Sequence, residues 1–188
     1  MNEDARVVSV SVASARTVPW KGRAVRTGIF KAPTDGRVRV RRLGLEGDEQ
    51  ADLEVHGGPL KAVYAYPSEH YAFWREELPG TPLPWGAFGE NLTVAGLAEE
   101  GVRLGDRFRI GTAVLAATKP RFPCYKLGIK FGREDLVDRF LASGRTGFYL
   151  RVVKEGELGS GDPIEVQGGG EGQPTIADLV AARQADQG

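Results

Sequence analysis

Glycine and proline cut the apolar runs of this chain into short lengths: 26 glycines and 11 prolines are spread through its 188 residues. Long amphipathic helices need uninterrupted 3.6-residue periodicity, whereas short β-branched or alternating runs between turn residues suit strands. Arg6 to Val12, Arg26 to Phe30 and Val38 to Leu45 read as such strands. Arg107 to Ile110 and Ala113 to Ala117 flank Gly111-Thr112, a two-residue hairpin signal with glycine in the first central position. Gly147 to Lys154 and Pro163 to Val166 flank a glycine-rich connection and read as another hairpin.

Two helices interrupt the pattern. Pro67 suits the first turn of a helix running to about Leu78, with Tyr71, Trp74 and Leu78 on one face. Arg133 to Ala142 is the second, buried through Leu136, Val137, Phe140 and Leu141 and stopped at Gly144. Many short strands with few helices predict a mainly β fold, a closed or nearly closed β-barrel with a few peripheral α-helices, because closure removes exposed edges. Residues 1–167 read as one domain and 168–188 as a glycine-rich linker and short helical tail. Thr175 suits the cap of that tail helix, Ile176 to Arg183, with Asp178 in its first turn.

Composition narrows the function classes. Lys plus Arg and Asp plus Glu each count 25, so no overall basic field gathers nucleic acid. The polar start Met1 to Arg6 lacks the basic and apolar regions of a secretion signal, and no run approaches a membrane span. A cytoplasmic protein without nucleic-acid or membrane partners is expected. One cysteine and two histidines forbid an internal disulfide, a structural Cys/His zinc site and a four-cysteine iron–sulfur cluster.

That one cysteine lies in Thr118-Lys119-Pro120-Arg121-Phe122-Pro123-Cys124-Tyr125-Lys126-Leu127. The prolines predict a rigid, non-helical loop that aims a side chain. Lys119, Arg121 and Lys126 surround the thiol with positive charge, a setting that favours thiolate, the form that attacks electrophiles or binds metal. In isolation, a lone cysteine reads first as a small buried apolar residue. Upstream, Val55-His56-Gly57-Gly58 offers backbone N–H groups to an anion and an imidazole able to act as acid or base. Asn91, in Phe88-Gly89-Glu90-Asn91-Leu92 at the start of a strand, is able to hold polar heteroatoms or simply to bond a local turn.

Taken in order, Gly-Leu-Glu-Gly-Asp from Gly44, Val-His-Gly-Gly, Glu-His-Tyr, Phe-Gly-Glu-Asn-Leu, Leu-Gly-Asp, Pro-Arg-x-Pro-Cys-x-Lys-Leu and Gly147 to Val152 resemble the MOSC family, the molybdenum cofactor sulfurase C-terminal domain. The likeness is to stand-alone bacterial members of the YiiM type and runs from about Val7 to Gln167. It implies a MOSC-type β-barrel with a pocket for the molybdenum cofactor in its molybdopterin form. It further implies that Cys124 ligates molybdenum or carries a persulfide, that Arg121 and Lys31 meet the pterin phosphate or the metal's oxo ligands, and that His56 and Asn91 line the pocket, with His56 assigned a catalytic role and Gly57 and Gly58 a cofactor-binding one. The implied activity is reduction of N-hydroxylated compounds, with electrons from a flavin or iron–sulfur reductase and oligomerisation open. Two alternatives stand beside it: a sulfur carrier using a Cys124 persulfide, and a non-catalytic module that binds the molybdenum cofactor or pyridoxal phosphate. Phe122 stands where relatives often carry a small residue, which points to a narrowed pocket or altered substrate choice.

Overall fold

The computed structural model describes residues 4–51 and 57–186. The chain is mainly β, with four α-helices among the described residues. The strands are β1 (Arg6–Val12), β2 (Arg16–Trp20), β3 (Arg23–Thr27), β4 (Ala32–Pro33), β5 (Arg37–Arg41), β6 (Gly44–Leu45), β7 (Val63–Pro67), β8 (Leu92–Ala95), β9 (Arg107–Ile110), β10 (Ala113–Pro120), β11 (Phe148–Lys154), β12 (Gly156–Gly159) and β13 (Ile164–Gly168). The helices are α1 (His70–Glu77), α2 (Tyr125–Phe131), α3 (Leu136–Ala142) and α4 (Ile176–Ala185).

Eight strands form one sheet in the order β13-β9-β10-β11-β7-β8-β1-β4, with β12-β5-β6 and β2-β3 as smaller sheets. A closed barrel is not found. Among the described residues the two sides of the large sheet meet at the isolated Arg6–Pro163 bridge, with Val7 N–H donating to Asp162 O at 2.9 Å, Gly161 N–H to Val7 O at 2.8 Å and Ile164 N–H to Ala5 O at 2.8 Å. Pro163 has no N–H to donate, so it cannot extend a ladder at that point. Strands β7 and β8 are parallel and are joined through α1. Every other pairing is antiparallel.

Several local expectations change. Val38 to Leu45 is not one strand: β5 and β6 fold back on each other about Arg42-Leu43, pairing Val40 with Leu45. Only the start of Arg26 to Phe30 is extended, as the end of β3; from Gly28 the chain packs against the Glu49 backbone, where a side chain does not fit. β11 and β13 do not form a hairpin. β12 lies between them in sequence and pairs with β5, while β11 joins β10 and β7. Pro67 ends the fully buried strand β7 instead of opening a helix, because it continues the parallel pairing opposite Val94, and α1 starts at His70.

The glycine-rich stretch after β13 is held by the domain instead of acting as a free tether. Gly170 N–H donates to Asp106 Oδ1 at 3.1 Å, and Leu104 N–H to Pro174 O at 3.1 Å. Thr175 then caps α4 in a reciprocal box with Asp178, and Ile176 and Val180 enter the main core. Thus the tail is packed because its apolar residues find room there. No helix among the described residues is long and apolar enough to cross a membrane.

Two cores result. The aliphatic one lies along the large sheet, from Val7 and Val10 to Leu115 and Leu158. The second is aromatic: Tyr64 and Tyr66 of β7 meet Tyr71 and Trp74 of α1, Phe88, and Phe140 of α3. Trp74 stacks on Phe140 at 5.3 Å and its Nε1–H donates to Tyr66 Oη at 2.6 Å, so the indole satisfies its one polar group while buried. This aromatic floor carries the site.

Candidate active site

An open cleft of about 120 Å³ lies above the aromatic core. Its walls come from the end of β3 and the segment after it (Thr27, Gly28, Ile29, Lys31), the turn after β6 (Asp48 to Ala51), Tyr64 of β7, Tyr149 of β11 and the connection from β10 to α2. Strand β10 bears a register shift between Ala117 and Lys119, where Thr118 Oγ1 donates to Leu60 O at 2.6 Å. A bulge re-aims the residues beyond it. Arg121 then leaves the strand with its N–H on Gly147 O at 3.1 Å, and its side chain enters the cleft wall.

Arg121 is 5 % exposed. Its guanidinium lies 5.3 Å from the Tyr64 ring centre and 5.2 Å from that of Phe140, beside the Tyr149 side chain. No carboxylate pairs with it among the described residues, and Nη1 is buried without a hydrogen-bond partner. Burial opposes its charge, but its pKa is still raised from an already high ordinary value, so the guanidinium is cationic at neutral pH. Tyr64 and Tyr149, conversely, are pushed up by burial, against the pull of Arg121, and remain neutral phenols.

Cys124 lies three residues on, partly buried and on the same cleft. The expected non-helical loop is short: Pro120 still belongs to β10, and Cys124, itself extended, is the cap residue from which α2 begins. Sequence reading missed α2 because the two prolines precede it, and proline placed ahead of a helix does not obstruct it. Gly132 then ends the helix with φ 65°.

Lys31 and Asn91 also line the cleft, but their polar groups are already engaged. Lys31 is ion-paired with Asp48; burial lowers its pKa, and the Asp48 carboxylate partly offsets that. Asp48 also accepts from Ala13 N–H at 3.0 Å and from Asn91 Nδ2 at 2.9 Å. Asn91 Oδ1 accepts Tyr64 N–H at 3.1 Å. These are long-range bonds, so neither a local turn nor a free amide describes Asn91. The network stiffens the wall, commits Lys31 and Asn91 within the protein, and leaves the Arg121 guanidinium available to a ligand.

Gly57 and Gly58 are not brought to the cleft; the Gly58 N–H donates to Gln50 Oε1 at 3.0 Å, so it is committed within the protein. His56 lies outside the described residues. Asp48, Gln50, Tyr64 and Tyr149 are cleft residues that sequence reading did not single out. The signal for Asp48 was present in the Gly-Leu-Glu-Gly-Asp motif, but only its three partners reveal its role. Lys130, one turn along α2, donates to Ile29 O at 3.0 Å and Gly86 O at 2.6 Å, tying the helix to the cleft's far wall. Burial pushes it down to about 8.

Comparison with known proteins decides the family. The MOSC domain model matches residues 52–165. The chain belongs to the MOSC domain family. It is 48 % identical over 165 residues to the uncharacterised protein YflK of Bacillus subtilis (strain 168), covering 88 % of this chain and 74 % of YflK. It is 41 % identical to YiiM of Escherichia coli (strain K12), over 74 % of this chain and 63 % of YiiM. A protein named Reductase from Gibberella moniliformis is 37 % identical over 77 % of this chain, which spans only 26 % of that longer protein. The crystal structure of YiiM from Geobacillus stearothermophilus superposes with a TM-score of 0.81 at 36 % identity, covering 97 % of this chain and 85 % of that one.

MOSC domains as a family are associated with molybdenum cofactor binding. Among the described residues no three His, Cys, Asp or Glu side chains cluster as a metal site. The donor set instead suits a metal delivered by an organic ligand: one soft sulfur, one buried guanidinium with Nη1 unpartnered, and neutral phenols on the same cleft. The residues present therefore fit a phosphate-bearing, sulfur-rich metal cofactor.

Proposed function

We propose that this MOSC protein binds the molybdenum cofactor in its molybdopterin form and reduces N-hydroxylated compounds at the N–O bond, with Cys124 as the protein's metal ligand. The observation that carries this reading is the buried Arg121 guanidinium, unpartnered at Nη1, in the same cleft as the chain's only cysteine. A desolvated cation without a counter-charge is costly unless a ligand supplies one. A phosphate or other oxyanion does so through short, charge-assisted hydrogen bonds. The thiol beside it offers the soft donor that hard carboxylates would not.

When bound, the cofactor supplies the two-electron chemistry. The chain holds and surrounds it. Arg121 fixes the anionic end, Cys124 presents sulfur from the capping position of α2, and the Lys31–Asp48–Asn91 network keeps the opposite wall in place. Tyr64 and Tyr149 narrow the floor and displace water, so an N–OH group entering from solvent is oriented in a drier environment. The net change is R–NHOH + 2e⁻ + 2H⁺ → R–NH₂ + H₂O. With one cysteine the chain cannot hold an iron–sulfur cluster of four thiolates, so a flavin or iron–sulfur reductase is the electron source in this reading.

The test is metal, pterin and persulfide analysis of protein made in a molybdenum-replete host, with Cys124→Ser beside it. Wild type is expected to carry molybdenum and pterin and to reduce a benzamidoxime-type substrate when given an artificial reductant. Cys124→Ser exchanges a soft thiolate for a hard hydroxyl, so it should keep part of the pterin through Arg121 and lose molybdenum and reduction. Its melting temperature should change little. Full reduction with metal bound in Cys124→Ser would refute the ligand assignment, and a Cys124 persulfide without molybdenum in wild type would assign a sulfur carrier instead.

A further inference from the structure

The two phenols on the cleft floor are not equivalent. Tyr64 of β7 and Tyr149 of β11 stand opposite each other across an antiparallel pair, with ring centres 5.5 Å apart. Residues paired in this way share one face of the sheet. Tyr64 is 4 % exposed, and its O–H donates to Thr146 O at 2.7 Å, so that hydroxyl is spent on the fold. Tyr149 is only partly buried and lines the cleft. No described residue accepts from its O–H.

The surroundings of Tyr149 make this unspent donor a strong one. Its backbone is fixed from both sides: it pairs with Tyr64 on one flank and with Lys119 on the other, and its carbonyl accepts from Thr118 Oγ1 at 3.1 Å. The Arg121 guanidinium lies beside the phenol as a hydrogen-bond donor. A guanidinium has only N–H groups to offer, so that contact uses a lone pair of the phenol oxygen and leaves its proton to be given elsewhere. A cation donating to the oxygen also polarises the O–H, the more so in a wall of low dielectric. Cys124 lies on the same cleft, and its charge acts on both Tyr149 and Arg121. A polarised, unspent hydroxyl on a ligand-sized concavity is the kind of group that fixes a ligand's orientation.

We propose, resting on the reductase reading above, that Tyr149 recognises the substrate's N–O oxygen: its O–H donates a hydrogen bond to the N-hydroxyl oxygen and holds that atom on the Cys124 side of the cleft. This narrows the substrate class to molecules that present an oxygen acceptor on nitrogen. The contact also separates substrate from product. Once the N–O bond is cleaved, the product lacks that acceptor and leaves the phenol unmet, which favours release.

Benzohydroxamic acid and benzamide differ by this one oxygen and are both uncharged at neutral pH. Protein purified from a molybdenum-replete host is titrated calorimetrically with each, as wild type and as Tyr149→Phe. Wild type should bind the hydroxamic acid more tightly than the amide. The variant should bind the hydroxamic acid about 3- to 10-fold more weakly, the loss expected for one neutral hydrogen bond, while its amide affinity stays within about 2-fold of wild type. Metal content, pterin content and melting temperature should match wild type, because the hydroxyl donates to nothing else in the described chain. With an artificial reductant, KM for the hydroxamic acid should rise in the same proportion as the affinity falls. Unchanged hydroxamic acid affinity in Tyr149→Phe, an equal loss for both compounds, or a loss of pterin or of melting temperature would overturn the assignment. Loaded wild type that binds the hydroxamic acid without reducing it would instead overturn the reductase reading, and the titrations, which need no turnover, would still decide the role of Tyr149.

Discussion

Replacing Arg121 by methionine should make the ligand-free protein no less stable while removing its grip on an anion. The guanidinium is 5 % exposed and lacks a paired carboxylate among the described residues. Desolvating such an ion costs several kcal/mol, whereas its contacts with the Tyr64 and Phe140 rings return about 0.5–2 kcal/mol each. Methionine has similar reach, keeps the apolar stem packed and carries no charge to desolvate. The ligand-free variant should therefore be unchanged or stabilised by about 1–3 kcal/mol. For a chain of this length that corresponds to a melting temperature about 2–4 °C higher per kcal/mol. Binding should move the other way. Losing a charge-assisted hydrogen bond of about 1.5–3 kcal/mol weakens affinity for a phosphate-bearing pterin by roughly 10- to 150-fold. Urea melts of ligand-free protein and calorimetric titration with that pterin read the two quantities separately. A variant that loses 2 kcal/mol or more yet binds as wild type does would show that Arg121 is a structural cation, and the reasoning from its unmet Nη1 would fall.

Gly147 has φ 65°, and an added Cβ would lie 2.8 Å from both Tyr64 and Tyr66 side-chain atoms, so Gly147→Ala should cost about 2–5 kcal/mol by chemical denaturation; a loss below about 0.5 kcal/mol would show that this turn relaxes freely. Lys130 titrates near 8 when folded against 10.5 as its ordinary value. The unfolded chain thus binds more protons between those values, and the Lys130 contribution to stability rises with pH across that window and is flat below it. Wild type should gain roughly 3 kcal/mol relative to Lys130→Met between about pH 7.5 and 10.5, and parallel stability profiles for the two proteins would contradict the depressed value. Glu99 accepts from Gly147 N–H at 2.7 Å and bonds His70 Nε2 at 2.7 Å; Glu99→Ala should cost about 1–3 kcal/mol and loosen the Arg121 turn, whose N–H rests on Gly147. Retained stability in Glu99→Ala would place the support of that turn elsewhere.

Patterns local in sequence carried the elements that local physics determines. The Gly111-Thr112 turn joins β9 to β10, and the Thr175-Asp178 box opens α4 as the spacing predicts, since both depend on neighbours a few residues away. Tyr71, Trp74 and Leu78 fall on one buried face for the same reason. The cysteine and its cations were legible as a cluster because they are contiguous in the chain. Their partners were not. Whether a cation is spent or available depends on what packs against it from distant segments: Asp48 claims Lys31, while Tyr64 and Phe140 seat Arg121 without neutralising it. The same holds for the sheet. Short strands called for closure, but which strand pairs with which is decided by long-range packing, which sends β12 to β5 instead of leaving β11 and β13 to pair. Sequence by itself determined the strand-rich composition, the capped helix and the position of the single thiol, because these rest on propensity and short spacing. Only the tertiary structure decided that Arg121 is the unmet charge beside that thiol, because desolvation and pairing are properties of side chains brought together from across the fold.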